Sequence, residues 1–234
     1  APMEYKDPAT DKLVGVDIDI AEALGKLLGV EMVFDDQQFD QLINSVATGR
    51  NDMVLSGMSD TLERQETLDF VDYFNSGTQA FTTKELSGQI KELADLSGKT
   101  CAVSAATDFY TTMEQWSKDN LEAKGKPGIT MLGVDSEPTA RLQMKQGRAE
   151  SSAISPEVLG YMEIKEPGQW VPVGELLKPA PYGIAFAKEN AQLRDAVQAA
   201  LQQMIDDGTY QAILDEWNVG QAAVTEATVN GSVH

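Results

Sequence analysis

Apolar residues at 20, 24, 27 and 28, following Gly15-Val16-Asp17-Ile18-Asp19, predict a helix with one buried face that Gly29 closes. The run Val30 to Phe34 reads as a strand, and Leu42, Ile43 and Val46 after Phe39 predict a second helix stopped at Gly49. Asp52 to Leu55 reads as a short strand ending at Gly57. A short helix then opens at Asp60 or Thr61, with Glu63 set for a capping-box bond. Thr67 to Phe74 follows as an acidic and aromatic segment. This alternation of strand and helix predicts an α/β layer with a mostly parallel sheet.

The pattern restarts near Ser76. A strand at Thr100 to Val103, a small-residue loop Ser104 to Thr107 and a helix from Asp108 toward Asn120 are followed by a strand at Ile129 to Leu132. A helix opened by Glu137-Pro138 and closed by Gly147 leads to a strand at Ser151 to Ile154. Ser155-Pro156 opens the next helix, since serine caps and proline suits the first turn. Strands at Trp170 to Val173 and Tyr182 to Phe186 bracket a proline-containing crossing. A long helix with Leu193, Val197, Leu201, Met204 and Ile205 on one face, a helix over Thr209 to Trp217 and a polar tail complete the chain. Residues 231–234 carry no pattern and read as unstructured. Crossings near 75–79 and 178–182 make residues 79–178 an inserted second domain, with 1–75 and 183–234 forming the first.

The stretch Ser56-Gly57-Met58-Ser59-Asp60-Thr61-Leu62-Glu63-Arg64 stands where a strand end meets a helix entrance. Helix-entrance N–H groups, the hydroxyls of Ser56 and Ser59 and the guanidinium of Arg64 form a receptor for a carboxylate. The plainer alternative is a turn glycine, a helix cap and a solvated arginine. Ligands of α/β sheets bind beyond the carboxyl ends of strands, which favours the receptor.

Charge narrows the partners. With 37 acidic and 18 basic residues the formal net charge is −19, a surface that repels nucleic-acid phosphates and anionic lipids. No stretch approaches the roughly 20 apolar residues of a bilayer span. Ala1-Pro2-Met3-Glu4 has neither the basic nor the apolar region of a targeting peptide, so such a peptide is absent or already removed. The single cysteine, Cys101, lies in an apolar run and reads as a buried small side chain. The pairs Asp17/Asp19, Asp35/Asp36 and Asp206/Asp207 lack calcium-loop spacing and read as solvated or capping groups, so no metal and no cofactor is expected.

Five segments in order, Gly15 to Ala21, Ser56 to Ser59 with Glu63-Arg64, Asp69-Phe70 through Tyr73-Phe74, Tyr182 to Phe186 and Asp207 to Tyr210, resemble extracytoplasmic solute-binding proteins of polar amino-acid ABC importers. The likeness covers nearly the whole chain and is strongest to the actinobacterial branch. It implies a two-lobed periplasmic-binding-protein-like α/β fold of type II, with two hinge crossings and a ligand cleft between closing lobes. It also implies a monomer that takes a small amino acid or related carboxylate or amine and hands it to ABC permease subunits. Its place would be extracytoplasmic, periplasmic or as a cell-surface lipoprotein.

Carried over by position, the resemblance makes Arg64 the bidentate partner of the ligand α-carboxylate, helped by Ser56, Gly57, Met58 and Ser59. Thr107, between Ala106 and Asp108, would contribute its N–H and hydroxyl to the same group, and Phe39 would be the aromatic wall. Two departures from the family pattern stand out. Ser155 occupies the position where an acidic residue usually takes the ligand ammonium, which leaves that role to Glu157 or another carboxylate, or implies a ligand that is not an ordinary α-amino acid. One further strand and an aromatic residue are also expected ahead of the position of Ala1. Asp60 and Asp108 suggest a cationic distal group on the ligand, Asp108 having a helix-dipole role as its alternative.

An enzyme on the same fold, a cyclohexadienyl-dehydratase-like catalyst, is the second reading. It would need Glu157 or Asp108 as acid or base. Against it stand a single histidine, His234 in the tail, and the lack of a nucleophile–base pair or a phosphate-binding glycine loop.

Overall fold

A computed structural model describes residues 1–233; His234 lies outside the described residues. The chain divides into two compact units, Ala1–Ser76 with the chain from Ala180 onward, and Gly77–Pro179.

In the first unit a hairpin of β1 (Tyr5–Lys6) and β2 (Leu13–Val14) leads through Gly15 into α1 (Val16–Leu28). Gly29 ends α1 in the left-handed conformation and returns its N–H to the Gly25 carbonyl. After α2 (Phe39–Ala47) comes a helix of only four residues, α3 (Leu62–Gln65). Strand β3 (Leu68–Thr83) then runs through Ser76 into the second unit. On the return of the chain, the end of β7 (Trp170–Ala187) precedes α7 (Ala191–Asp207) and α8 (Thr209–Glu216). Period-two alternation splits the strands between two cores. Tyr182, Ile184 and Phe186 join Ile20, Leu24, Val71, Leu201 and Tyr210, whereas Ala185 joins Val46, Val54, Met58 and Phe70.

The second unit holds β4 (Thr100–Ser104), α4 (Asp108–Asn120), β5 (Thr130–Val134), α5 (Glu137–Lys145), β6 (Ser151–Ile154) and α6 (Pro156–Lys165). Its sheet has the order β5-β4-β6-β3-β7, with β4 parallel to β5 and β6, and β3 antiparallel to β6. Both faces are covered. Cys101 and Val103 pack with Met113 of α4, while Ala102 packs with Ala140 and Met144 of α5 and Met162 of α6. Burial on both faces is why Cys101, Ala102 and Val103 of β4 form an unbroken apolar run. Cys101 is fully buried, and burial pushes its thiol up to about 12.

Four expectations are corrected. Val30 to Phe34 forms no strand: no neighbour among the described residues pairs with it, and Val30, Val33 and Phe34 are exposed. It runs instead along a groove of about 850 Å³ that Ile18, Met53, Leu55 and Leu193 also line. Asp52 to Leu55 keeps a single antiparallel bridge, Val54 to Ala185, made by two hydrogen bonds of 2.9 Å. The two strands expected around Pro179 and Pro181 are one strand, β7, bent where Lys178 takes φ +38. The tail is held: Val229 bridges Val71, and Asn230 donates its N–H to the Phe70 carbonyl at 3.0 Å. Ser232 is buried.

Gly15 is a joint with no room for a side chain, closed off by backbone. At φ +141, a Cβ there would lie 2.2 Å from the carbonyl oxygen of Met3, which itself accepts the Asp17 N–H. Gly15→Ala should therefore cost at least about 2 kcal/mol through backbone strain and overpacking, read as a lower urea midpoint at unchanged slope.

Candidate functional site

The loop from Ser56 to Arg64 is pinned at both ends. Met58 turns its side chain into the core, fully buried, and its carbonyl accepts the Gly183 N–H at 2.9 Å. Ser59 bridges Tyr182, and the Asp60 N–H donates to the Pro181 carbonyl at 2.9 Å. Thr61, not Asp60, is the cap of α3, its hydroxyl accepting the Arg64 N–H at 3.3 Å. The helix therefore starts at Leu62, and Glu63 falls one residue short of the capping-box position.

Arg64 is half-buried, and its Nη1 donates to the Ser59 carbonyl at 2.8 Å. Its Cζ lies 5.8 Å from the centre of the Phe39 ring, within cation–π range. Among the described residues no carboxylate is within ion-pair distance of it. A carbonyl and a ring thus orient the guanidinium while its other N–H groups keep their donor capacity.

Two carboxylates hold this loop from behind. Asp17, buried in the first turn of α1, accepts the Gly57 N–H at 2.8 Å and the Tyr73 hydroxyl at 2.7 Å. Glu4 takes the Ser56 hydroxyl and lies beside Asp17. Burial, and then the charge of Glu4, raise the Asp17 carboxyl well above the ordinary range, and burial raises Glu4 as well. A proton shared by the pair removes the repulsion of two anions at one place. The Gly57 N–H expected at a ligand is therefore engaged by Asp17, and the Ser56 hydroxyl by Glu4. What Gly57 adds is its φ of +48.

In the second unit the entrance to α4 is built from exposed Ala105 and Ala106 and half-buried Thr107 and Asp108. The Thr107 hydroxyl donates to the Ser104 carbonyl at 2.7 Å and makes no cap bond, so the first turn of α4 keeps the donor character of a helix N-terminus. Ser155 is buried at the cap position of α6, its carbonyl accepting the Leu159 N–H at 3.1 Å.

The acids behind the loop escaped the reading of sequence pattern. Asp17 was assigned to solvent or a cap, yet it lies on the stripe 17, 20, 21, 24 that α1 buries. An acid on a buried stripe is the available signal. Asp19 accepts the Trp217 indole N–H at 2.7 Å, and Asp207 caps Thr209 at 2.9 Å. Asp60, expected near a ligand, is fully buried and accepts from Gln65 and the Ser232 N–H, so it is a structural acid.

Tyr73→Phe should destabilise the unit by about 1–3 kcal/mol, since it strips a donor from a buried acid. The loss measured by urea denaturation should grow as pH rises, because the hydroxyl matters most when the Asp17 carboxyl, held up by burial and by Glu4, is ionised.

The comparisons agree with this architecture. Residues 1–220 match the family described as bacterial extracellular solute-binding proteins, family 3. The arginine-binding protein ArgT of Corynebacterium glutamicum is 31% identical over 229 residues, 98% of this chain and 74% of that protein. The L-cystine-binding protein TcyJ of Escherichia coli K12 is 31% identical over 209 residues, 88% of this chain and 74% of that one. A solved ancestral arginine-binding protein bound to arginine has a TM-score of 0.80 at 34% identity, covering 93% of each chain. These relatives are binding proteins, which sets the enzyme reading aside. Among the described residues no helix is long and apolar enough to cross a membrane. The chain belongs to family 3 of the bacterial extracellular solute-binding proteins and is a two-lobed solute-binding protein.

Proposed function

We propose that this protein captures an α-amino acid with a neutral or cationic side chain and delivers it, as a monomer outside the cytoplasmic membrane, to an ABC permease. The observation that carries the reading is Arg64, a half-buried guanidinium oriented by the Ser59 carbonyl and the Phe39 ring and without an acidic partner among the described residues, in a chain with 37 acids. Such a group suits the bidentate recognition of an α-carboxylate. In the second unit the entrance to α4, Ala106 to Asp108, offers chemistry suited to the same class of ligand: helix-end donors favour a carboxylate, and Asp108 favours a cation.

Side-chain charge follows from the field of the whole protein. A net charge of −19 works against a dicarboxylic solute and admits a zwitterion or a cation. The relatives named for arginine and cystine support that choice and make L-arginine the first probe.

Arg64→Ala should weaken binding of the ligand by at least about 3 kcal/mol, more than a hundredfold in Kd, when followed by isothermal titration calorimetry. An unchanged Kd would remove Arg64 from the site. In a thermal-shift panel, arginine, cystine or glutamine should raise the melting temperature by mass action while glutamate does not. A shift with glutamate alone would reverse the assigned class.

A further inference from the structure

Behind the Arg64 loop lies a second pair of buried acids, on elements 12 residues apart in sequence. Asp60 is fully buried; its two oxygens accept the Gln65 side-chain amide at 2.8 Å and the Ser232 N–H at 3.1 Å. Asp72, on β3 and also buried, receives the Thr228 hydroxyl at 2.9 Å and the Gly231 N–H at 3.0 Å, both on Oδ2. Among the described residues its Oδ1 has no donor, and Asp60 is its carboxylate neighbour. Asn230 continues the attachment, its side-chain oxygen accepting the Phe70 N–H at 2.8 Å and its amide reaching Asp69 at 3.1 Å.

Two facing carboxylates in a dry site cannot both be ionised without a large cost, and one proton between them gives Oδ1 of Asp72 the bond it otherwise lacks. Among the described residues no cation pairs with either acid: Arg194 of α7 is bonded to Asp69 and Asp195, and Arg64 of α3 donates to the Ser59 carbonyl. β7 presents uncharged Gly183 to Asp72, the tail presents Thr228, Gly231 and Ser232, and α3 presents Gln65.

We infer that the tail from Ala227 to Ser232 is a strap latched by a proton on Asp72, which its Oδ1 turns toward Asp60, and that loss of this proton releases the strap. Burial, and next the charge of Asp60, raise Asp72 from the ordinary 3.8 to about 7. The folded state therefore binds this proton more tightly than the unfolded chain does. Its contribution is complete below the ordinary carboxylate value and is lost as pH rises through about 7. Because Asp60 directly follows Ser59, whose carbonyl orients Arg64, the latch lies under the carboxylate receptor. That last link rests on the proposed function; the strap itself does not.

Amide hydrogen exchange of the full chain, read by NMR at Gly231 and Ser232, tests the latch without any ligand. Between about pH 5.5 and about pH 8.5, protection factors corrected for intrinsic exchange should fall at least about tenfold in the natural sequence, as a one-unit proton linkage requires. In Asp72→Asn they should stay level, since the carboxamide donates to Asp60 permanently while its oxygen still accepts from the tail. Asp60→Asn provides the same measurement if the first variant does not fold. Equal protection at both pH values in the natural sequence, or an equal fall in the folded variant, would overturn the latch. Loss of the latch with normal binding at Arg64, or the reverse, separates the two readings.

Discussion

The Asp17 carboxylate is the constraint on which the first unit is arranged. It sits at the opening of α1, where the helix dipole favours a negative charge, and joins three parts of the chain through the Gly57 N–H and the Tyr73 hydroxyl. Removing a carboxylate from water is unfavourable by several kcal/mol unless donors replace the lost hydration. Two donors do that here, and burial beside Glu4 raises the Asp17 carboxyl toward its neutral form, so the buried acid is tolerable only if α1, the loop and β3 are all in place. That mutual dependence sets the position of Ser59, whose carbonyl in turn sets the direction of Arg64.

The same logic explains the division between legible and hidden features. Helices α1, α4, α5, α6 and α7 could be read because their apolar spacing and their stops, such as Gly29 and Gly208, are local properties. β4 was legible for a different reason: burial on both faces makes its central residues Cys101, Ala102 and Val103 apolar in succession, which is visible without knowing its partner. Val30 to Phe34 is also rich in apolar residues but has no pairing neighbour among the described residues, and strand formation depends on a neighbour that no local pattern reports. The pair of prolines at 179 and 181 looked like a break, yet β7 continues through them; in a strand the missing N–H matters only on the side that must donate.

At the candidate site the structure brings together Arg64, Ser59 and Phe39, each of which the sequence singles out by its chemistry. The acids behind them were not legible. Asp17, Asp60 and Asp72 look like ordinary surface residues in a chain with 37 acids, and only tertiary structure shows that they are buried and hydrogen-bonded. Ser232 illustrates the same limit from the other side: a small polar residue in a patternless tail is buried because its N–H meets Asp60.

An excess of negative charge and a receptor for carboxylates are not in conflict once range is considered. Surface charges are screened within about 8–10 Å at physiological salt, so their sum acts on the net charge of an approaching solute. In the function proposed above, the contact itself falls to the Arg64 guanidinium, whose hydrogen bonds strengthen as water leaves. A zwitterion passes the first filter because its net charge is zero, and a cationic amino acid is drawn in by it. Under that proposal discrimination by side chain is settled partly by the field of the entire surface, whereas the requirement for an α-carboxylate rests on Arg64 and the Ser59 carbonyl that aims it.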